Sequence, residues 1–293
     1  MDRLSATMRR SGRARWPVLI GVALWVAACG GDDSSAEVRY EVTREVVSHE
    51  TTQDILVFAP DAEGSWPVVF ALHGLDGSGE DMAETSQRLA ERGFAVFALT
   101  YRTDFGTEQG AIDSLRDLVC GGWYVGTIAG DHGGDLDQPV TMLGWSLGAG
   151  RVLEGGLNTG VVDTTGLFSP CSTELARVDV IVAVAGCHYE FGDAEFDFDP
   201  SGWSNKDATI VMAVGDDDTL CAPWQTEQAG DELRSLGYDV DVVVFDDADH
   251  FLPFFVDFVD GELVPDADHP AGDRLVEIVV DAVDAVAAEA ETS

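Results

Sequence analysis

Three kinds of side chain in this sequence meet the requirements of covalent catalysis. Ser146 lies at the centre of a Gly-x-Ser-x-Gly pattern, a run of aspartates occupies residues 216–218, and His250 follows late in the chain. A serine hydroxyl is a weak nucleophile until an imidazole accepts its proton, and the imidazole needs a carboxylate to fix its tautomer and balance its charge. The chain therefore contains the groups of a nucleophilic triad in the order serine, aspartate, histidine.

The residues around Ser146 indicate a strand, a sharp turn and a helix. Residues 140–143 form a short β-rich run, and small residues that favour a helix follow the serine as far as about residue 157. Gly144 and Gly148 fit such a turn because the nucleophile adopts strained backbone angles and neighbouring side chains would collide. The five-residue pattern also arises by chance, so the rest of the chain must supply the other parts of the site.

An oxyanion hole is predicted after another apolar run. Residues 68–72 indicate a buried strand, and His73, Gly74 and Leu75 follow directly. The glycine allows the loop to turn so that the Leu75 N–H points at a substrate carbonyl oxygen, and the Leu147 N–H gives the second donor. Loss of one such donor costs about 3–4 kcal/mol of barrier. The alternative is a glycine-rich turn whose histidine only packs.

Alternating strand and helix patterns must position these groups. The sequence predicts strands at 38–47, 54–59, 68–72, 94–99, 140–143, 178–185, 209–214 and 240–245, and helices at 80–92, 112–128, 147–157, 227–236 and 272–288. Such alternation predicts an α/β fold with a mainly parallel, doubly wound sheet, helices on both faces and chemistry at the carboxyl ends of the strands. The aspartate run and His250 each follow a late strand, so they are expected at the same sheet edge as Ser146. Residues 158–177 are predicted as a small cap or lid.

From about residue 54 to residue 288 the chain resembles the α/β-hydrolase superfamily. The segment Gly133–Gly150, which reads GGDLDQPVTMLGWSLGAG, is similar to that of carboxylesterases and dienelactone-hydrolase-like esterases. The resemblance implies a serine-dependent hydrolase that cleaves carboxylic esters through an acyl-enzyme, without a cofactor or metal ion. The alternatives are a serine peptidase or a polyester depolymerase on the same fold, or a non-catalytic surface lipoprotein that uses the scaffold for binding.

The same resemblance selects one acid from the aspartate run. The Gly-x-x-Asp spacing of the family's acid loop falls on Gly215 and Asp218, which favours Asp218 over the two aspartates before it, and the family's late histidine corresponds to His250. Two positions depart from the family pattern. Trp145 stands where histidine is commoner, and Pro223 lies one residue later than the usual spacing after the acid. Neither departure removes a predicted catalytic group.

The N-terminus is predicted to be an export signal. Residues 1–28 combine a basic segment with an apolar run, and V-A-A-C-G around Cys29 resembles the lipobox of bacterial lipoproteins, in which the cysteine is lipidated. Residues 29–36 indicate a flexible tether, and residues 37–293 the hydrolase domain. We therefore expect an exported protein of the cell envelope that meets the bacterial membrane only through a lipid anchor at Cys29.

Charge and cysteines restrict the partners further. The formal net charge is −38, with 54 acidic and 16 basic residues, which repels nucleic acid and disfavours polyanionic substrates. The expected partner is a neutral ester, either a small molecule or a polymer. An oxidising compartment favours disulfides over metal thiolates. Because Cys187 and Cys221 follow neighbouring strand ends, we predict a Cys187–Cys221 bond, and by elimination a Cys120–Cys171 bond.

Overall fold

The computed structural model describes residues 39–48, 52–104, 107–158, 177–192, 194–259 and 262–292. The predicted signal peptide, the lipidation site Cys29, the tether, Cys171 and nearly all of the predicted lid lie outside the described residues. Every predicted catalytic and oxyanion-hole residue lies inside them.

The described strands follow the predicted order along the chain. They are β1 Tyr40–Ser48, β2 Thr52–Pro60, β3 Val68–Leu72, β4 Ala95–Leu99, β5 Val140–Trp145, β6 Val180–Val184, β7 Glu190–Phe191, β8 Ala194–Glu195, β9 Thr209–Gly215, β10 Asp239–Phe245, β11 Val256–Val259 and β12 Glu262–Pro265. Eight of them form one sheet in the order β1-β2-β4-β3-β5-β6-β9-β10. Strands β1 and β2 run antiparallel to their neighbours, whereas the pairs from β4 to β10 are parallel. The predicted fold class is confirmed.

Helices cover both faces of this sheet. They are α1 Ala83–Glu91, α2 Glu108–Ile128, α3 Leu147–Leu157, α4 Pro223–Ser235 and α5 Pro270–Thr292. Alternate residues of β3 show the two layers: Phe70 packs in a core with Leu153 of α3, and Val69 packs in the opposite core with Leu275 of α5. Burial on both faces explains why the central strands are continuous apolar runs. None of the helices in the described ranges is both long and apolar enough to cross a membrane.

Several boundaries differ from the sequence prediction. Helix α4 begins at Pro223 and not at residue 227, because a proline fits the first helical position, where its missing N–H needs no partner. Helix α2 begins at Glu108 and not at residue 112, because the Thr107 side chain accepts a hydrogen bond from the Gly110 N–H and caps the helix. The short hairpins β7–β8 and β11–β12 were not predicted, since two to four residues give no measurable periodicity.

One predicted disulfide is present. Cys187, in the loop after β6, is bonded to Cys221, in the loop after β9. Strands β6 and β9 are neighbours in the sheet, so their following loops start close together. Cys120 is also disulfide-bonded. Its predicted partner, Cys171, is outside the described residues.

Candidate active site

Ser146 occupies a strained turn between β5 and α3. Its backbone has φ 57° and ψ −117°, a conformation that residues other than glycine rarely adopt. The Ser146 N–H donates to the Val184 carbonyl oxygen of the neighbouring strand at 2.9 Å, which helps to hold this conformation. The Ser146 hydroxyl makes no capping hydrogen bond to α3. The turn therefore presents a hydroxyl that the local backbone does not use.

Close backbone contacts explain the glycines of this turn. A Cβ atom at Gly144 would lie 2.2 Å from the Gly148 carbonyl oxygen, and one at Gly148 would lie 2.4 Å from the Leu72 carbonyl oxygen. On the facing loop, a Cβ atom at Gly74 would lie 3.1 Å from the Ser146 Cβ atom. The predicted reason for the two glycines of the pattern, collision of any side chain with its neighbours, is confirmed.

These contacts predict opposite effects for two glycine substitutions in α3. We expect Gly148→Ala to lower both the melting temperature and the turnover, because the new methyl group must displace the Leu72 and His73 backbone, from which the loop that faces Ser146 begins. Gly150 is the matched control, since a Cβ atom there meets nothing within 4 Å. Gly150→Ala should keep activity and raise stability by up to about 1 kcal/mol through helix propensity. Thermal unfolding and steady-state kinetics check both variants. Equal effects would show that the close contact is unimportant.

His250 and Asp218 form a buried pair. The His250 Nδ1 atom lies 2.8 Å from the Asp218 Oδ2 atom, and both side chains are almost entirely buried. The other Asp218 oxygen accepts hydrogen bonds from the backbone N–H groups of Leu220, at 2.9 Å, and Cys221, at 2.8 Å. Because the carboxylate accepts at Nδ1, that nitrogen carries the proton, and Nε2 is left to accept one from another group.

The other two aspartates of the run have different surroundings. Asp216 and Asp217 are exposed. The Asp216 carboxylate accepts a hydrogen bond from the Ala248 N–H at 3.3 Å, and the Asp217 N–H donates to the Ala248 carbonyl oxygen at 3.0 Å. They hold the loop after β10 against the loop after β9. Of the three aspartates, Asp218 is the one whose side chain pairs with His250.

Trp145 brings the histidine loop to the serine turn. Strands β5 and β10 are separated by β6 and β9, a span of roughly 14 Å across the sheet. The Trp145 indole N–H donates to the His250 carbonyl oxygen at 2.9 Å, and the two ring centroids lie 6.0 Å apart. The indole also stacks on Phe254 at 5.2 Å and meets Phe251 edge-on at 5.7 Å. The residue next to the serine thus anchors the loop that carries the imidazole.

Sequence reasoning noted Trp145 only as a departure from the family pattern. Its role depends on a contact with a residue 105 positions away. The sequence signal that could have indicated this role is the aromatic cluster Phe251, Phe254 and Phe255 directly after His250, because such a cluster needs a large apolar partner. Phe254 and Phe255 of that cluster are fully buried core residues, and they are therefore not part of a substrate surface.

Within the described residues, Ser146 and His250 are not joined by a hydrogen bond. Nucleophile-to-base hydrogen bonds in free enzymes are often long and shorten when substrate binds. The structure places the two groups at the same edge of the sheet, with Trp145 between their loops.

Both predicted oxyanion donors have unused N–H groups. Leu147 is the first residue of α3, where a backbone N–H has no partner within the helix. Leu75 lies in the loop after β3, next to Gly74, which faces Ser146. Among the described residues, neither the Leu75 N–H nor the Leu147 N–H donates a hydrogen bond to another protein group. Two unused donors that flank a serine turn can stabilise a negatively charged oxygen.

His73 shapes the loop that contains Leu75. Its buried ring accepts a hydrogen bond from the Tyr101 N–H at Nε2, at 3.2 Å, so the proton is on Nδ1, which donates to the Gly74 carbonyl oxygen at 2.7 Å. The Tyr101 hydroxyl in turn donates to the His73 carbonyl oxygen at 2.8 Å. Burial lowers the pKa of His73, which keeps the ring neutral. The histidine of the predicted oxyanion loop is therefore a packing residue that fixes the loop.

A third buried histidine, His188, lies near the serine turn. His188 follows β6, and a Cβ atom at Gly186 would lie 2.5 Å from its Nε2 atom and 3.1 Å from the Ala149 Cβ atom. In the described structure Nε2 has no hydrogen-bond partner, and the ring meets Phe198 edge-on at 5.4 Å. Burial lowers the pKa of His188 to about 4.

The His188 pKa predicts a loss of stability in mild acid. In the unfolded chain the His188 ring is protonated below the ordinary histidine pKa of about 6.5, whereas in the folded protein it is protonated only below about pH 4. The contribution of His188 to the free energy of unfolding is therefore full above pH 6.5 and decreases as the pH falls from 6.5 to 4. At pH 5 the loss from this group is about 2 kcal/mol. His188→Phe should remove that part of the loss. Urea unfolding of the wild type and of His188→Phe at pH 7.5 and pH 5 tests this prediction. If the free energy of unfolding falls equally in both proteins between these pH values, His188 is not the cause of the loss.

The assembled groups can carry out proton transfer and nucleophilic attack. A hydroxyl, an imidazole oriented by a buried carboxylate, and two unused N–H donors meet at one edge of the sheet. Across the described ranges, no cluster of three or more histidine, cysteine, aspartate or glutamate side chains has a geometry that could hold a metal ion.

Comparisons with known proteins give the fold. No family model matches the chain. No curated protein matches it either. Among solved structures, an inhibited esterase B from Lactobacillus rhamnosis superposes with a TM-score of 0.70 and 14% identity, covering 88% of this chain and 90% of that chain.

Two further structures agree with this one. A hyperthermophilic esterase from the archaeon Pyrobaculum calidifontis has a TM-score of 0.61 and 14% identity, covering 84% of this chain and 86% of that chain. Esterase 2 of Thermogutta terrifontis, phosphoramylated by tabun, has a TM-score of 0.61 and 15% identity, covering 83% of this chain and 92% of that chain. Together with the sheet order, these similarities show that the chain has the α/β-hydrolase fold.

Proposed function

We propose that this protein is a serine-dependent hydrolase that cleaves carboxylic esters through an acyl-enzyme. The observation that carries the proposal is the buried hydrogen bond between His250 and Asp218, held beside the turn that presents Ser146. The solved structures that share the fold include esterases, which supports the same reaction class.

Each group has one role in the proposed reaction. The Ser146 Oγ atom attacks the acyl carbon while His250 Nε2 accepts the hydroxyl proton, and Asp218 stabilises the imidazolium that results. The N–H groups of Leu75 and Leu147 donate to the tetrahedral oxyanion. His250 then protonates the departing alcohol. In the second half, His250 accepts a proton from the water that attacks the acyl carbon. It then returns this proton to the Ser146 Oγ atom as the acyl–oxygen bond breaks, which releases the acid and restores the free serine.

The preferred substrate is proposed to be a neutral, apolar ester. Leu75, Leu220 and Trp224 lie on or next to the loops that carry the site, and their exposed fractions are 38%, 44% and 42%. Exposed apolar side chains near a site favour apolar acyl or alcohol groups. The net charge of −38 disfavours an anionic substrate.

A panel of p-nitrophenyl esters tests this proposal. We expect hydrolysis of butyrate and hexanoate esters, and a kcat/KM for a hemisuccinate ester well below that for butyrate, because the free carboxylate of the hemisuccinate adds a negative charge that the neutral butyrate lacks. Peptide amides and a polyester film are assayed beside the esters. Faster cleavage of the amides would make the protein a peptidase, and preferential release of soluble products from the film would make it a depolymerase. Inactivity on every substrate would favour a non-catalytic binding protein.

We also propose export to the cell envelope and a lipid anchor at Cys29. The lipobox-like sequence around Cys29 supports the anchor, and the Cys187–Cys221 disulfide fits an oxidising compartment. Metabolic labelling with a fatty acid in a bacterial host tests it. The wild-type chain should take up label and enter the membrane fraction, and Cys29→Ala should do neither. Equal labelling of both chains would exclude Cys29 as the lipidated residue.

A further inference from the structure

The disulfide between Cys187 and Cys221 lies next to the candidate acid. Cys221 comes three residues after Asp218, is fully buried and precedes α4, and Cys187 comes three residues after the end of β6. The Cα atoms of the two cysteines are 4.6 Å apart. The bond therefore joins the loops that leave two neighbouring strands at the edge of the sheet where the site lies.

At one end, the bond fixes groups that hold the Asp218 carboxylate. The Cys221 N–H donates to the Asp218 Oδ1 atom at 2.8 Å, and the Leu220 N–H donates to the same oxygen at 2.9 Å. The opposite oxygen, Oδ2, lies 2.8 Å from His250 Nδ1. A carboxylate held at one oxygen by two backbone donors presents the other in a defined direction, so a shift of Cys221 would turn Oδ2 away from the imidazole.

At the other end, the bond is attached to the support of the serine turn. The Val184 carbonyl oxygen, at the end of β6, accepts the Ser146 N–H at 2.9 Å. Ala185 follows in a left-handed conformation, with φ 53°, and its N–H donates to the Ala213 carbonyl oxygen of β9 at 2.7 Å. Cys187 thus follows a segment whose backbone is fixed by hydrogen bonds to the Ser146 turn on one side and to β9 on the other.

We propose that the Cys187–Cys221 disulfide is a positioning element of the active site. It ties the strand end that supports Ser146 to the loop that orients Asp218, and so sets the alignment of the His250–Asp218 pair. This inference rests on the proposed function. A cross-link between residues 34 positions apart also stabilises the fold, so the test must separate alignment from stability.

The double variant Cys187→Ala/Cys221→Ala removes the bond without leaving a free thiol. We expect kcat for p-nitrophenyl butyrate to fall at least about tenfold, because small misplacements of catalytic groups cost this much or more, while KM changes less than about twofold. The assay temperature is set well below the melting temperature of the variant. Cys120→Ala/Cys171→Ala is the matched control, because it removes the other predicted disulfide, also without leaving a free thiol, and Cys120 lies in α2, outside the loop of Asp218. This control should keep the wild-type kcat.

A second readout does not depend on turnover. The proton in the hydrogen bond between His250 Nδ1 and Asp218 is expected to give a downfield signal in the proton NMR spectrum of the wild type, and the loss of this signal in His250→Ala would identify it. The signal should broaden or disappear in Cys187→Ala/Cys221→Ala and persist in the Cys120→Ala/Cys171→Ala control. A folded double variant with wild-type kcat and an unchanged signal would overturn the inference. An inactive wild type would instead overturn the proposed function.

If the double variant does not fold, reduction of the disulfides in the wild-type protein tests the same inference. Dithiothreitol transfers two electrons and two protons to the cysteine pair and is itself oxidised to its cyclic disulfide. Samples are trapped with iodoacetamide at intervals, and mass spectrometry gives the reduced fraction of each pair. Turnover should fall in proportion to the reduced fraction of Cys187–Cys221. Full turnover after complete reduction of that pair would overturn the inference.

Discussion

Ser146→Ala is expected to lower kcat for ester hydrolysis about a million-fold, to the residual rate that the oxyanion donors and substrate binding alone provide. The hydroxyl at the top of the strained turn is the only protein group in the proposed reaction that forms a covalent bond to the acyl carbon. Alanine keeps the same backbone and removes one oxygen atom. Stopped assays with p-nitrophenyl butyrate at high enzyme concentration give the residual rate.

A matched serine outside the site controls for this substitution. Ser235, at the end of α4, is exposed, and its hydroxyl donates to the Glu232 carbonyl oxygen. Ser235→Ala should leave kcat unchanged. A Ser146→Ala protein that keeps more than about a hundredth of the wild-type kcat would mean that another nucleophile carries the reaction.

Asp218→Asn should lower kcat about ten-thousand-fold, the cost of placing the histidine in the wrong tautomer. The amide can no longer balance the charge of the imidazolium, and its NH₂ group can donate to Nδ1 and so move the ring proton to Nε2. Asp217→Asn is the control, because that side chain is exposed in the same loop and does not contact His250. Kinetics of both variants decide the assignment. A large loss in Asp217→Asn with a small loss in Asp218→Asn would transfer the role to the neighbouring residue.

The features of the site that are determined by short, local segments could be predicted from the sequence. Ser146 was identifiable because a glycine pattern follows an apolar strand, and both glycines prove to face backbone atoms at distances that exclude a side chain. The edge at which Asp218 and His250 meet was also predictable, because parallel strands end on one side of a sheet. The choice of Asp218 needed the family resemblance, since its two neighbours offer the same chemistry.

The features of the site that depend on contacts between residues distant in the sequence could not be predicted from local patterns. The Trp145 indole binds a carbonyl oxygen in a loop that arrives from three strands away, and no local pattern encodes that contact. The sequence left open whether His73 packs or takes part in an oxyanion loop. The structure shows that the ring packs on Tyr101 and fixes the loop of Leu75, whereas the oxyanion role of that loop stays a prediction. The disulfide was predictable from strand order, but its link to the Asp218 carboxylate depends on loop geometry.

Covalent labelling with a fluorophosphonate tests the central claim most directly. The reagent phosphonylates a serine only when a base activates the hydroxyl, and digestion followed by mass spectrometry locates the adduct. We predict one adduct, on the peptide that contains Ser146, with much slower labelling in His250→Ala and none in Ser146→Ala. A wild-type protein that stays unlabelled under conditions where a control esterase reacts, or an adduct on a different residue, would contradict the account.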